Sequence, residues 1–313
     1  MKRILITGGV GYVGGRLAQH LLALPDPPEL RLTTRREPGR IPAWARGLDV
    51  RHADMRDPEA LAAAVQDVGA VVHLATANEV EAERDPEMAV ALTGVGTYRL
   101  LTASRAAGVA RFLYLSTYHV YGASLAGTVS EATVPRPIHP YAIAHHLAES
   151  FVDSHRVTFG METAILRVSN GYGCPADPQI NRWKLVFNDL CRQAVRDQHL
   201  VLKSSGRSRR DFVSLQNVCR AAQHMLSLPG WGDGLYNLGG ARSMSILEVA
   251  ERIARAYEAR FGRPVEIKTG VDREVSGPRP FVYDVKKLED TGFALSDNID
   301  EEIRRTLELC AAR

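Results

Sequence analysis

The nine residues TGGVGYVGG, positions 7 to 15, constrain this chain more than any other stretch. They are preceded by RILI, a short apolar run that reads as a strand buried on both faces. They run into YVGGRLAQHLLAL, which begins at Tyr12, has helical spacing and stops at Pro25. Gly8, Gly11 and Gly14 therefore sit at the junction of a first strand and a first helix. Glycine permits the tight turn and lets backbone N–H groups approach a pyrophosphate, and the last glycine lets helix and strand pack closely. A GxxGxxG series in that setting predicts a dinucleotide site, lined by Gly8, Gly11, Tyr12, Val13 and Gly14.

The alternation continues. ELRLTTR reads as a second strand, and DPEALAAAVQDV as a helix with Asp57 as N-cap and Pro58 at its first position. AVVHLA is a further strand. DPEMAVALTGVGTYRLLTASRAAG is expected to be one long helix closed by Gly108, followed by the strand RFLYLST. The helix that contains Tyr141 and the strand ETAILRVS come next. This rhythm predicts an α/β fold with a doubly wound parallel sheet. Beyond about residue 170 the rhythm loosens: FNDLCRQAVRDQ and SILEVAERIARAYEAR are helical, the latter with a Ser245–Glu248 capping box, and HLVLK and PVEIK are short strands. The expected division is a dinucleotide domain over 1–168, a chain return near 213–238, and a smaller α/β substrate domain over most of 169–313.

The end of the second strand bears on which dinucleotide binds. An NAD site takes Asp or Glu there for the ribose 2′-hydroxyl. Here Thr34 is followed by Arg35 and Arg36, which can clamp a 2′-phosphate, so NADP is expected over NAD. Asp54 in ADMRD is placed either for an adenine amino group or as a helix cap, and Met55, Leu74 and Ala75 are expected to line the same cleft. A net charge of +3 argues against a nucleic-acid surface. No apolar run reaches membrane-spanning length. The four cysteines have no CxxC spacing, and no histidine pair completes a metal set. A cytoplasmic protein with reduced thiols and no metal is expected.

In HPYAIAHHLAES, Tyr141 and His145 stand at i and i+4, on one face of a helix. A phenol beside a cationic group can act as acid or base near neutral pH.

In the order and spacing of TGGVGYVG, ADMRD, VVHLA, YLSTYHVYG, PYAIAHHLAE, LRVSNGYG, RRDFVSLQNV and LYNLGG, the chain resembles the extended short-chain dehydrogenase/reductases of the nucleotide-sugar epimerase and dehydratase type over nearly its whole length. The resemblance implies a Rossmann domain and hydride transfer on a nucleotide-linked keto-sugar, by reduction or epimerisation. It implies Tyr141 as acid/base, Thr117 as its hydroxyl partner on the reacting oxygen, Asn170 as a pocket residue and Arg210 on the substrate diphosphate. Arg279 or Arg273 would be a second substrate arginine, and His119 a pocket residue. It also implies a homodimer through a four-helix bundle made by the helix before Gly108 and the helix of Tyr141.

The chain departs from the family pattern in three respects. His145 replaces the lysine that lowers the tyrosine pKa and binds the nicotinamide ribose; histidine is expected to bind the ribose and to carry charge only part of the time. Thr93 replaces an asparagine that supports a relay water. Tyr118 and His119 replace the Asp–Glu pair of the 4,6-dehydratases, so dehydration is disfavoured. A dinucleotide-binding sensor of low turnover, or a reductase of a small non-sugar ketone, remains as an alternative.

Overall fold

The computed structural model describes residues 3–123, 125–271 and 281–312. In chain order the first strands are β1 (Arg3–Thr7), β2 (Leu30–Thr34), β3 (Asp49–His52), β4 (Val68–His73), β5 (Arg111–Thr117), β6 (Gly127–Val129) and β7 (Glu162–Val168). Then come β8 (Asn170–Tyr172), β9 (His199–Leu202), β10 (Arg209–Ser214), β11 (Leu235–Leu238), β12 (Ser243–Ser245), β13 (Glu266–Thr269) and β14 (Phe281–Tyr283). The helices are α1 (Tyr12–Leu22), α2 (Pro58–Ala64), α3 (Glu79–Arg84), α4 (Pro86–Ala89), α5 (Gly96–Ala106), α6 (Pro140–Phe159), α7 (Val186–Arg196), α8 (Leu215–Ser227), α9 (Ile246–Phe261), α10 (Lys286–Glu289) and α11 (Ile299–Ala311).

Seven strands form one parallel sheet in the order β3-β2-β1-β4-β5-β7-β11. This is the doubly wound Rossmann arrangement. Apolar runs such as RILIT satisfy it because alternate side chains enter opposite cores. Ile4 and Ile6 pack on the side of α1 and α8, with Leu17, Leu21, Ala222 and Met225. Leu5 packs on the side of α2, α5 and α6, with Leu61, Leu100, Leu101 and Ala148. The order reverses at β1, whose neighbours are β2 and β4, so a crevice opens at the carboxyl ends of β1 and β4.

After β7 the chain alternates between the sheet and a second core built from α7, α9 and α11. Leu190, Leu200, Ile253, Ile303 and Leu307 fill that core. β10 pairs with β8 and β12 beside the crevice, and β11 returns to extend the central sheet. A buried ion pair joins the two parts: the Arg16 guanidinium of α1 donates to both oxygens of Glu302 on α11.

The helix expected from Asp85 to Gly108 is not continuous. α4 passes into a π-helical stretch, Val90–Val95, before α5 begins. The wider turn directs the Thr93 hydroxyl inward, where it accepts from Ala77 N at 3.0 Å. Asp57 caps α2 and Ser245 with Glu248 caps α9. Among the described residues no helix is long and apolar enough to cross a membrane.

Candidate active site

A cleft of about 1060 Å³ lies over the carboxyl ends of β1, β4 and β5, and Gly8, Gly11 and Gly14 of the glycine turn line it. Gly8 adopts φ +65°, which favours glycine, and a Cβ on Gly14 would run into the Gly8 carbonyl. The turn is therefore a bare backbone cradle at the start of α1, as a pyrophosphate requires. Thr7 braces the next wall: its hydroxyl accepts from Leu74 N and Ala75 N at 3.0 and 3.1 Å. That hydroxyl is left to donate to His73 Nδ1 at 2.6 Å, so His73 Nε2 donates to Thr97 Oγ1 at 2.9 Å. Burial pushes the His73 pKa down to about 3, which keeps this histidine a neutral structural link.

Tyr12, Val13, Met55, Leu74 and Ala75 all line the cleft. Thr34, Arg35 and Arg36 line its far end, where Thr34 Oγ1 accepts from Arg36 N at 3.1 Å. Arg35 is half exposed, with Glu81 3.9 Å away. Arg36 is engaged: it donates to Asp177 at 2.6 Å, and Asp177 is almost fully buried. Asp54 does not line the cleft. Its oxygens accept from the Arg56 guanidinium and backbone, which hold its carboxyl down to about 2, and the helix cap is Asp57.

α6 starts at Pro140 and brings Tyr141 and His145 into the middle of the cleft. The Thr117 hydroxyl, at the end of β5, lies beside the Tyr141 phenol and favours its ionised form. The ring centroids of Tyr141 and His145 are 4.4 Å apart, and that of His119 is 6.2 Å from Tyr141 on the other side. His145 is 2% exposed. Its Nδ1 lies 2.7 Å from the Tyr114 hydroxyl, and its Nε2 has no partner. Burial pushes the His145 pKa down to about 4. The part-time positive charge expected there is therefore absent at neutral pH. A buried imidazole without a carboxylate contact does not take up a second proton at neutral pH. Tyr141 is shifted upward, first by burial and next by the charge of Glu79. His119 is pushed down to about 4 by burial, so it too is neutral.

Asn170 and Arg210 line the far wall, beside β8 and β10. Asn170 donates to the Tyr118 hydroxyl at 3.0 Å and to the Asp211 carbonyl at 2.8 Å. Tyr118 is thereby occupied as a structural phenol, and no carboxylate pair follows Thr117. Arg273 and Arg279 lie outside the described residues. Four participants escape a reading of motifs: Glu79, Arg182, Asp177 and Tyr114. Glu79 and Arg182 form a 3.3 Å ion pair on the cleft wall, linking α3 to the loop before α7. Only the run TANEVE, with its Asn78–Glu81 capping box, hints at Glu79. A bare glycine turn, arginines at the β2 end and an unpartnered buried N–H or lone pair at His145 together fit a dinucleotide.

Comparison with known proteins agrees with this geometry. The model of the NAD dependent epimerase/dehydratase family matches residues 4–239. The dTDP-glucose 4,6-dehydratase of Streptomyces niveus is 28% identical over 269 residues, covering 82% of this chain and 78% of that protein. The GDP-6-deoxy-D-mannose reductase of Pseudomonas aeruginosa is 28% identical over 324 residues, covering 98% of this chain and 96% of that protein. A solved structure described as RMD from Pseudomonas aeruginosa complexed with NADPH superposes with a TM-score of 0.82 at 26% identity, covering 100% of this chain and 99% of that one.

Proposed function

The chain belongs to the NAD-dependent epimerase/dehydratase family, and on that premise we propose that it is an NADP-linked oxidoreductase or epimerase of a nucleotide-linked keto-sugar. Tyr141 is the acid/base, Thr117 orients the reacting oxygen, and Asn170 and Arg210 contact the substrate. The observation that carries this reading is one continuous cleft, from the glycine turn past Tyr141 and Thr117 to Arg210. A bound nicotinamide supplies or accepts hydride. The glycine turn, Leu74, Ala75 and His145 hold the dinucleotide, and Arg35 with Arg36 receives a 2′-phosphate.

Dehydration across C5 and C6 is disfavoured, although several relatives are named as 4,6-dehydratases. Such an elimination needs its own acid and base beside Tyr141, and Tyr118 is tied to Asn170 instead. A homodimer through α5 and α6 is supported by the apolar side chains these helices expose: Tyr98, Ile143, Val157 and Phe159.

The test is mass spectrometry of ligands released from the purified protein, followed by calorimetric titration with NADPH and NADH. Tighter binding of NADPH, with a nucleotide sugar among the released ligands, is expected. Failure to bind either dinucleotide would overturn the proposal.

A further inference from the structure

The histidine that replaces the family lysine is not a loose substitute. Tyr114 lies in the middle of β5, fully buried, with one described partner for its hydroxyl, His145 Nδ1 at 2.7 Å. The two rings are near-parallel, 26° apart, with centroids at 5.8 Å. Two proton arrangements are open to this contact. If Nδ1 carried the proton, the Tyr114 O–H would have nothing to donate to in a dry core, and a buried donor left without an acceptor is unfavourable. If Tyr114 donates instead, Nδ1 accepts with its lone pair and the proton must sit on Nε2. Nε2 is the buried atom without a partner, on a residue that lines the cleft.

We propose that Tyr114 is a positioning residue that holds His145 in its neutral Nε2–H tautomer, and that the site is thereby built for ketone reduction, with Tyr141 as a phenol that gives up its proton. This rests on the nucleotide-sugar reading above and chooses within it. Epimerisation and dehydration both open with oxidation of an alcohol, which needs Tyr141 ionised. Net reduction needs it protonated.

The groups around Tyr141 favour the protonated form. From α6 comes His145, neutral. From β5 and the turn after it come Thr117, Tyr118 and His119, none of them charged at neutral pH. From α3 comes Glu79, whose charge favours the neutral phenol, and from the loop before α7 comes Arg182, whose charge opposes it while bound to Glu79. Among the described residues the cation acting on Tyr141 is Arg182, which is paired with Glu79, and burial adds to the side of the neutral phenol. In the reduction, a bound reduced nicotinamide supplies the hydride. The carbonyl carbon takes it, the π pair moves to oxygen, and that oxygen takes the Tyr141 proton. The ketone becomes a secondary alcohol, and the Tyr141 phenolate is reprotonated from solvent. Such an enzyme stands directly after a reaction that generates a nucleotide-linked keto-sugar.

Neither arm of the test needs substrate, so it can fail while dinucleotide binding stands, and the reverse. In protein labelled with ¹⁵N-histidine, long-range ¹H–¹⁵N spectra identify the His145 ring by its loss in His145→Gln. Expected are a bare Nδ1, a protonated Nε2, and no titration between about pH 8 and 5, because an unperturbed imidazole would titrate near 6.5. Tyr114→Phe should release the lock and give mixed tautomers, which a purely packing role for Tyr114 would not. An imidazolium at pH 7, an Nδ1–H ring in the wild type, or an unchanged tautomer in Tyr114→Phe overturns the positioning role. In the second arm, phenolate absorbance of wild type minus Tyr141→Phe gives the Tyr141 titration. Its midpoint is expected above about 10, the ordinary tyrosine value. In His145→Lys it should fall by about one to three pH units. A wild-type midpoint near neutrality overturns the preference for reduction.

Discussion

Asp177→Asn should strengthen NADPH binding and leave NADH unchanged. Arg36 is proposed to clamp a 2′-phosphate, yet its guanidinium donates to the buried Asp177 carboxylate at 2.6 Å. A phosphate arriving there must take the arginine away from Asp177, and it meets the aspartate's negative charge as it does so. A hydrogen bond between charged groups contributes about 1.5–3 kcal/mol net. Arg36 is 27% exposed, so solvent screening favours the lower end. At about 1.4 kcal/mol per tenfold, roughly a tenfold gain in NADPH affinity is expected. NADH has no 2′-phosphate and should bind the variant and the wild type alike. Calorimetry at one fixed ionic strength reads both, since surface charge effects vary with salt. If Asp177→Asn weakens NADPH, the aspartate holds Arg36 in position for the ligand and the competition argument is wrong. Parallel changes for both cofactors would show that the substitution disturbed the loop and not the 2′-phosphate site.

Glu302→Gln should lower stability by about 3 kcal/mol in urea titration, because Arg16 would keep a buried charge without its carboxylate; a loss below about 1 kcal/mol would show that the pair does not hold α1 to α11. Asp211 is buried and its carboxyl is pushed up to about 6 by that burial. An acid with a raised folded pKa favours the fold most below its unfolded value and loses that advantage as pH rises. The Asp211 contribution should therefore fall by about 3 kcal/mol between pH 4 and 6, read as the difference between the wild-type and Asp211→Asn stability profiles, since the buried neutral histidines act in the opposite direction in both proteins. A difference that stays flat over that window would contradict the assignment. Light scattering at micromolar concentration should report a dimer, and Phe159→Glu on the exposed end of α6 should weaken it; a monomeric wild type would reject the α5–α6 interface.

The fold was readable because its signals are local. Buried parallel strands show as apolar runs, the glycine turn marks the first crossover, and Asp57 and Ser245 announce their helices. The interruption at Val90–Val95 was not readable, since a π turn inserts one residue without changing helical composition. The site residues that motifs pick out line one cleft, apart from Asp54 and the two arginines outside the described residues. What stayed hidden depends on contacts between distant segments. Asp177 lies 141 positions from Arg36, and in sequence nothing links them. Tyr114 reads as one more apolar residue of a buried strand, and only the folded chain brings its hydroxyl to His145. His145 looks like a weakened cation in sequence, and burial in the folded chain favours its neutral form.

The central claim is that Tyr141 protonates a keto-sugar as hydride arrives, with net consumption of reduced cofactor. The most direct measurement uses NADPH deuterated at the transferred position, with nucleotide-linked 4-keto-6-deoxyhexoses as substrates, and weighs the sugar formed. The predicted result is an alcohol carrying one deuterium on the reduced carbon, formed by the wild type and not by Tyr141→Phe. An epimer without deuterium, or full turnover in Tyr141→Phe, would contradict it.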